Sequence, residues 1–292
     1  MMLDPFLPHE LEHAIFELAA LTHPKRIPIL MLVAHRVKNW VEHLLYRVVI
    51  MMSTLPRRDL FNYPMLIPET LLNIIRVKPP EFLPNSVQHL FLNATIKRNE
   101  LTAIYSACIH VTNLVDYLCG SPQNPAFGRL SHLRRLTLGL QDFLICYNMN
   151  HTHPTLRRIT HLQLLSTWNH GSLAELTRCL PLVPSLTHIA LRSVSHDVPL
   201  QNTLCAAQNI CCIVFLEVPV GDRIGLVTNE LALDPRFVCL DWGGGFVEDW
   251  LHSVDTGEDY WAFAEAFIAA RQAGRVDRSR YTVSSTDTSW MN

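Results

Sequence analysis

The sequence has no excess of charge of either sign. Its 24 Lys and Arg against 26 Asp and Glu leave a net charge of −2 over 292 residues. That balance offers no basic field to a nucleic acid or an anionic lipid surface, and neither is expected as a partner. Nor is there an apolar run near the roughly 20 residues that a membrane helix needs. The longest runs are Ile29 to Ala34 and Leu44 to Met52, and Arg47 interrupts the second. The first residues lack the basic start and apolar stretch of a signal peptide. None of the eight cysteines stands in a CxxC pair. Several fall in or near apolar segments, where a thiol acts as a small hydrophobe, and they are expected to be reduced in a cytoplasmic or nuclear protein. Phosphate-loop, dinucleotide-loop, nucleophile-elbow and zinc-protease signatures are all missing. Gly243-Gly244-Gly245 reads as a flexible turn. His151-Thr152-His153 supplies too few ligands for zinc. No catalytic residue, metal or cofactor is therefore expected.

What the sequence does have is rhythm. Val87-Gln88-His89-Leu90-Phe91-Leu92 has the form apolar-x-x-apolar-x-apolar, and this form returns six times. The copies run 111–116 (degraded), 133–138, 159–164, 186–191, 210–215 and 237–242. Their middle apolar residues sit at 90, 114, 136, 162, 189, 213 and 240, in steps of 24, 22, 26, 27, 24 and 27 residues. A step of this size falls in the leucine-rich-repeat range. Between the strands, helical return segments are read at 99–108, 172–180 (with Ser172 as N-cap) and 198–208. Strands joined by such crossovers must run parallel.

The fold class expected is α/β: a leucine-rich-repeat solenoid, with a parallel sheet and outer helices, over residues 86–245. Residues 1–52 read as a module of three short helices, with Tyr46 to Ile50 turning towards a β pattern. Residues 53–85 form a Pro-marked linker with a short helix from Glu69 to Val77. Residues 246–274 read as two helices closing the open end of the stack, and 275–292 as a flexible tail.

The N-terminal module carries Leu7-Pro8-His9-Glu10-Leu11, then Ile15-Phe16, then Val33-Ala34-His35-Arg36-Val37-Lys38-Asn39-Trp40. This pattern resembles an F-box. The layout, together with Asp234-Pro235-Arg236-Phe237-Val238 and Val247-Glu248-Asp249-Trp250, is similar to that of little-characterised fungal F-box proteins with irregular leucine-rich repeats. The resemblance implies docking to a Skp-type adaptor of a cullin ubiquitin ligase through Leu7, Pro8, Leu11, Ile15, Phe16 and Trp40. The other reading is that these residues simply cap the first repeat.

In each repeat strand, the residues between the buried apolar positions should form one open, concave face. The candidates for binding a protein substrate there are His89, Phe91, Asn113, Tyr117, Arg135, Thr137, His161, Gln163, His188, Arg192 and Asp241. Val115, Ala190, Cys212, Val214 and Cys239 share that face. His161 and His188 should stand on adjacent strands. The expected function is a protein-recognition adaptor, either a substrate receptor of a ubiquitin ligase or a scaffold without that link.

Overall fold

The computed structural model describes residues 7–52, 59–60, 63–117, 124–149, 154–165, 170–192, 197–216, 227–243 and 246–291. The chain opens with helices α1 (His9–Thr22), α2 (Ile27–Leu30) and α3 (His35–Leu45). Strand β1 (Val48–Met52) follows, then the short hairpin of β2 (Asp59–Leu60) and β3 (Tyr63–Pro64), and helices α4 (Pro68–Val77) and α5 (Phe82–Ser86). Strands and crossovers then alternate as β4 (His89–Asn93), α6 (Arg98–Ala107), β5 (Asn113–Asp116), β6 (Arg135–Gly139), α7 (Leu140–Met149), β7 (His161–Leu165), α8 (His170–Cys179), β8 (His188–Arg192), α9 (Val198–Ala206), β9 (Cys212–Leu216), α10 (Asn229–Leu233) and β10 (Phe237–Asp241). Helices α11 (Phe246–Thr256) and α12 (Tyr260–Gln272) and strand β11 (Thr282–Ser284) end the chain.

Among the described residues, nine strands form one sheet in the order β1, β4 to β10, β11. Every neighbouring pair in it is parallel. The fold is therefore a solenoid-like α/β stack. Six of the seven middle residues lie side by side: Leu90, Leu114, Leu136, Leu162, Ile189 and Ile213. All six are buried. They point at the crossover helices, where Leu101 and Ile104 of α6, Leu173 and Leu176 of α8 and Leu200 and Leu204 of α9 meet them in one continuous core. This side is called the helix face below. No single repeat could bury it alone, so the stack is cooperative. Helices α1 to α4, α6, α8 and α9 fall close to where the sequence places them, although Ser172 lies inside α8, not at its start; α5 and α7 have no counterpart in the sequence reading.

Four expectations need correction. The seventh copy is out of phase: Phe237, not Leu240, pairs with Ile213, so the step is 24 residues rather than 27. This three-residue slip exchanges the two sides of β10. Cys239 joins the helix-face core. Asp241, two residues on, shares that side and does not belong to the opposite face. Phe237, Val238, Cys239 and Leu240 are all buried, so the strand has no polar alternation to reveal its phase.

Second, the sheet begins before residue 86: β1, in the stretch whose β pattern the sequence shows, is its first edge strand, with Val49 beside Leu90, so the bounds of the N-terminal module and the solenoid shift. Third, α11 and α12 do not close the end of the stack; they lie across the opposite face of the sheet. Trp250, Leu251 and Val254 of α11 pack on Val48, Ile50, Phe91 and Val115. Tyr260, Trp261, Ala264 and Phe267 of α12 pack with Ala190, Cys212, Val214, Val238 and Leu240. Gly257, with φ +73°, makes the turn between the two helices, a left-handed conformation that a Cβ would strain. Fourth, the tail is anchored. β11 pairs with β10, and Trp290 is buried edge-on against Phe263 and Phe267, with ring centroids 5.3 Å apart in each case. The apolar side chains Val276, Val283 and Trp290, spaced along a polar stretch, are enough to hold it.

Candidate functional site

The opposite face changes character along the sheet. At the β1 end it is apolar (Val48, Ile50, Phe91, Val115), and α11 covers it. At the β10 end it is apolar again (Ala190, Cys212, Val214, Val238, Leu240), and α12 covers it. In between, β5 to β7 present Asn113, Arg135, Thr137, His161 and Gln163. A cleft opens over these five and Arg192, with Trp242, Phe246, Trp250, Asp259, Tyr260 and Trp261 among its other walls. The room inside it is about 50 Å³.

Polar pairing shapes this cleft. Arg135 Nη1 donates to Asp259 Oδ2 at 2.7 Å, while Asp259 Oδ1 accepts from the Ala262 backbone N–H at 2.9 Å as the N-cap of α12. One carboxylate thus fixes both the start of the helix and the guanidinium below it. Thr137 Oγ1 donates to Gln163 Oε1 at 3.1 Å. His161 and His188 stand on adjacent strands, as expected, with rings stacked at 4.0 Å and 8° and with Trp261 edge-on to both. Burial, then the nearby His188 and Arg135, push the His161 pKa down to about 3. His89 is likewise pushed down to about 3, by burial and then by Arg47 and Arg135. Each of these rings is therefore neutral near pH 7.

Among the described residues no group of three or more His, Cys, Asp and Glu could hold a metal ion. Cys211 Sγ lies 3.8 to 4.0 Å from the His188 ring nitrogens. Both nitrogens are already engaged, Nδ1 with Thr187 Oγ1 at 2.8 Å and Nε2 with Glu265 Oε1 at 2.8 Å. Burial raises the Cys211 thiol pKa, the reverse of nucleophile activation.

Of the expected face residues, Asn113, Arg135, Thr137, His161, Gln163 and Arg192 come together in the cleft. His89 and Phe91 lie against Trp250, with ring centroids 6.3 and 5.3 Å away. Phe91 is fully buried, and so is no part of an open surface. His188 is buried next to Trp261. Tyr117 is exposed just beyond β5. Sequence reasoning missed the aromatic half of the site, because it assigned α11 and α12 to the end of the stack. The signal was there: residues 242–263 hold three tryptophans, two phenylalanines and a tyrosine.

The N-terminal module is a separate place of interest. Ala20, Ile27, Val37 and Val41 form its own small core, with Phe16 and Trp40 half-buried against it. Arg36 Nη2 donates to Glu12 Oε1 at 2.7 Å and ties α3 to α1. Leu11, Ile15 and Leu18, spaced along one side of α1, and Leu7 just before it are 45% to 63% exposed, and Pro8 is exposed beside them. Of the six residues matched to a docking face, four are thus available on the surface, and Phe16 and Trp40 support them from inside.

The chain matches none of the protein-family models and none of the curated proteins with which it was compared. No helix among the described residues is long and apolar enough to cross a membrane.

Proposed function

We propose that this chain is a protein-recognition adaptor whose N-terminal helices dock a partner, in the manner of an F-box-like module on a Skp-type adaptor of a cullin ubiquitin ligase. The observation that carries the reading is the exposed stripe of Leu7, Leu11, Ile15 and Leu18 on a module that already has its own core. A contiguous apolar strip that the fold leaves in water is the usual mark of a surface that another protein covers. The module is also fixed to the repeat body: Lys78 Nζ donates to Glu42 Oε1 at 2.6 Å, joining α3 to the end of α4. A docked partner would therefore be held at a defined position relative to the body. Function of this kind works through raised effective concentration, with no chemistry in the chain itself.

Co-expression with a Skp-type adaptor tests the reading. Wild type should co-purify with it, and Leu11→Asp/Ile15→Asp/Leu18→Asp should not, while melting as wild type does because all three side chains are on the surface. A wild-type chain that never co-purifies overturns the ligase link and leaves a plain scaffold.

A further inference from the structure

We propose that the turns entering β6 and β7 form a docking edge for an acidic segment of a partner protein, a run of Asp and Glu side chains. This does not rest on the docking reading for α1 to α3, because none of the residues involved lies in those helices.

The first observation is a local imbalance that the overall charge hides. Residues 117–174 hold Arg129, Arg134, Arg135, Arg157 and Arg158, no lysine, and Asp142 as their one carboxylate. Asp142 follows β6, in the first turn of α7, at the far end of that strand from the turn that enters it. Arg135 is held by Asp259. The other four arginines are exposed and lie in the turns entering β6 and β7. Those turns are neighbours. The Thr160 backbone N–H donates to the Arg134 carbonyl at 2.9 Å, and Arg158 Nη1 reaches across to the Ser131 carbonyl at 2.6 Å.

The second observation is how these guanidinium groups are held. Among the described residues none of the four meets a carboxylate. Arg129 Nη1 donates to Ser106 Oγ at 3.3 Å, and Arg134 Nη1 to the Leu133 carbonyl at 3.2 Å. Like the bond from Arg158, each uses one of five donors on a neutral acceptor and leaves the rest of the group, with its whole charge, to water. Like charges on adjacent turns repel one another, and anions from outside relieve that repulsion.

The layout narrows the partner. Guanidinium groups take carboxylates in pairs of parallel hydrogen bonds. Three of the four are tied to three different acceptors, so the charge is spread over two turns. That suits several separate carboxylates rather than one phosphate group. The corresponding turns at 106–112, 180–187 and 206–211 hold no lysine or arginine, so the patch ends after two repeats and offers no long track to a nucleic-acid backbone. No Trp, Tyr or Phe stands in 129–134 or 157–160 for a base to stack on.

The test uses the full chain and four fluorescein-labelled probes, read by anisotropy. They are a Gly-Ser peptide carrying six Glu, the same peptide with six Gln, one with a single phosphoserine, and a uridine hexanucleotide. The Glu peptide should saturate at least tenfold more tightly than each of the others, and raising salt from about 50 to about 250 mM should weaken it severalfold. Arg134→Gln/Arg157→Gln/Arg158→Gln should weaken it at least tenfold while melting as wild type does, because all three side chains are on the surface. Arg157→Glu alone, an independent variant at a side chain with no partner among the described residues, should weaken it severalfold. Arg275→Gln/Arg278→Gln, which removes two exposed arginines elsewhere, should leave it unchanged. Any of four results would overturn the proposal: no saturable binding of the Glu peptide at low salt, a control probe that binds as tightly, affinity unchanged in both variants of the patch, or an equal loss in Arg275→Gln/Arg278→Gln.

Discussion

The two faces of this sheet are built from the same strands yet solve different problems. The helix face is a ladder of apolar side chains, its central rung one Leu or Ile per strand from β4 to β9, packed on helices that the same repeats supply. The opposite face is apolar only at its two ends and polar in the middle, and its cover comes from helices far away in the chain. Local repetition is enough to bury the first face. The second needs α11 and α12 to return across the whole stack, and they fit only where the strands are apolar. The cleft is what remains where they are not.

The largest effect that separates the faces is at Phe91. If it stood on an open binding surface, removing it would cost little. Buried against Trp250 and Phe246, Phe91→Ala should lose about 3–5 kcal/mol in denaturant unfolding. A loss under about 0.5 kcal/mol would restore the open face. On the helix face, Leu162→Ala should cost about 2–5 kcal/mol as a cavity in the middle of the ladder. Near-zero cost there would mean that the ladder is not continuous.

A smaller effect depends on pH. His89 and His161 each sit at about 3 in the fold against an ordinary value of 6.5. The folded forms stay neutral where the unfolded chain binds protons. Their contribution to stability is therefore complete above about pH 6.5 and is lost progressively as pH falls towards 3, by at most about 1.4 kcal/mol per pH unit for each ring. Unfolding curves of wild type and of His89→Phe/His161→Gln between pH 7 and 4.5 should diverge, the variant being the flatter. Parallel curves would show that water reaches both rings. Smallest of all is Asp259→Asn. Asparagine can still cap α12, so only the partly exposed pair with Arg135 is lost, worth under about 1 kcal/mol by thermal melting. A much larger loss would mean that this pair, not apolar packing, holds α12 down.

The same contrast explains what could be read from the sequence. Leu90, Leu114, Leu136, Leu162, Ile189 and Ile213 repeat because each fills the same slot, and their register follows from spacing alone. The reading failed at Phe237, where a strand buried on both sides shows no alternation to set its phase. It failed more widely over the cover. Phe91, Val115, Ala190 and Val214 lie on the side that alternation gives them, and apolar residues there demand a lid that spacing does not identify. Spacing finds neighbours one repeat away; the Phe91–Trp250 contact spans more than 150 residues, and periodicity carries no information at that range. The six polar residues that the strands give the cleft are legible because alternation places them, whereas its aromatic walls come from outside the repeats.

The roof over the opposite face is tested most directly by the nuclear Overhauser contact between the ring protons of Phe91 and the indole of Trp250, in protein labelled selectively at phenylalanine and tryptophan. With ring centroids 5.3 Å apart, a clear cross-peak should appear, and Phe91→Leu should abolish it. A Phe91 ring that shows no contact with any tryptophan and broadens with a soluble paramagnetic agent would contradict the account, because it would mean that the C-terminal helices do not lie on the sheet.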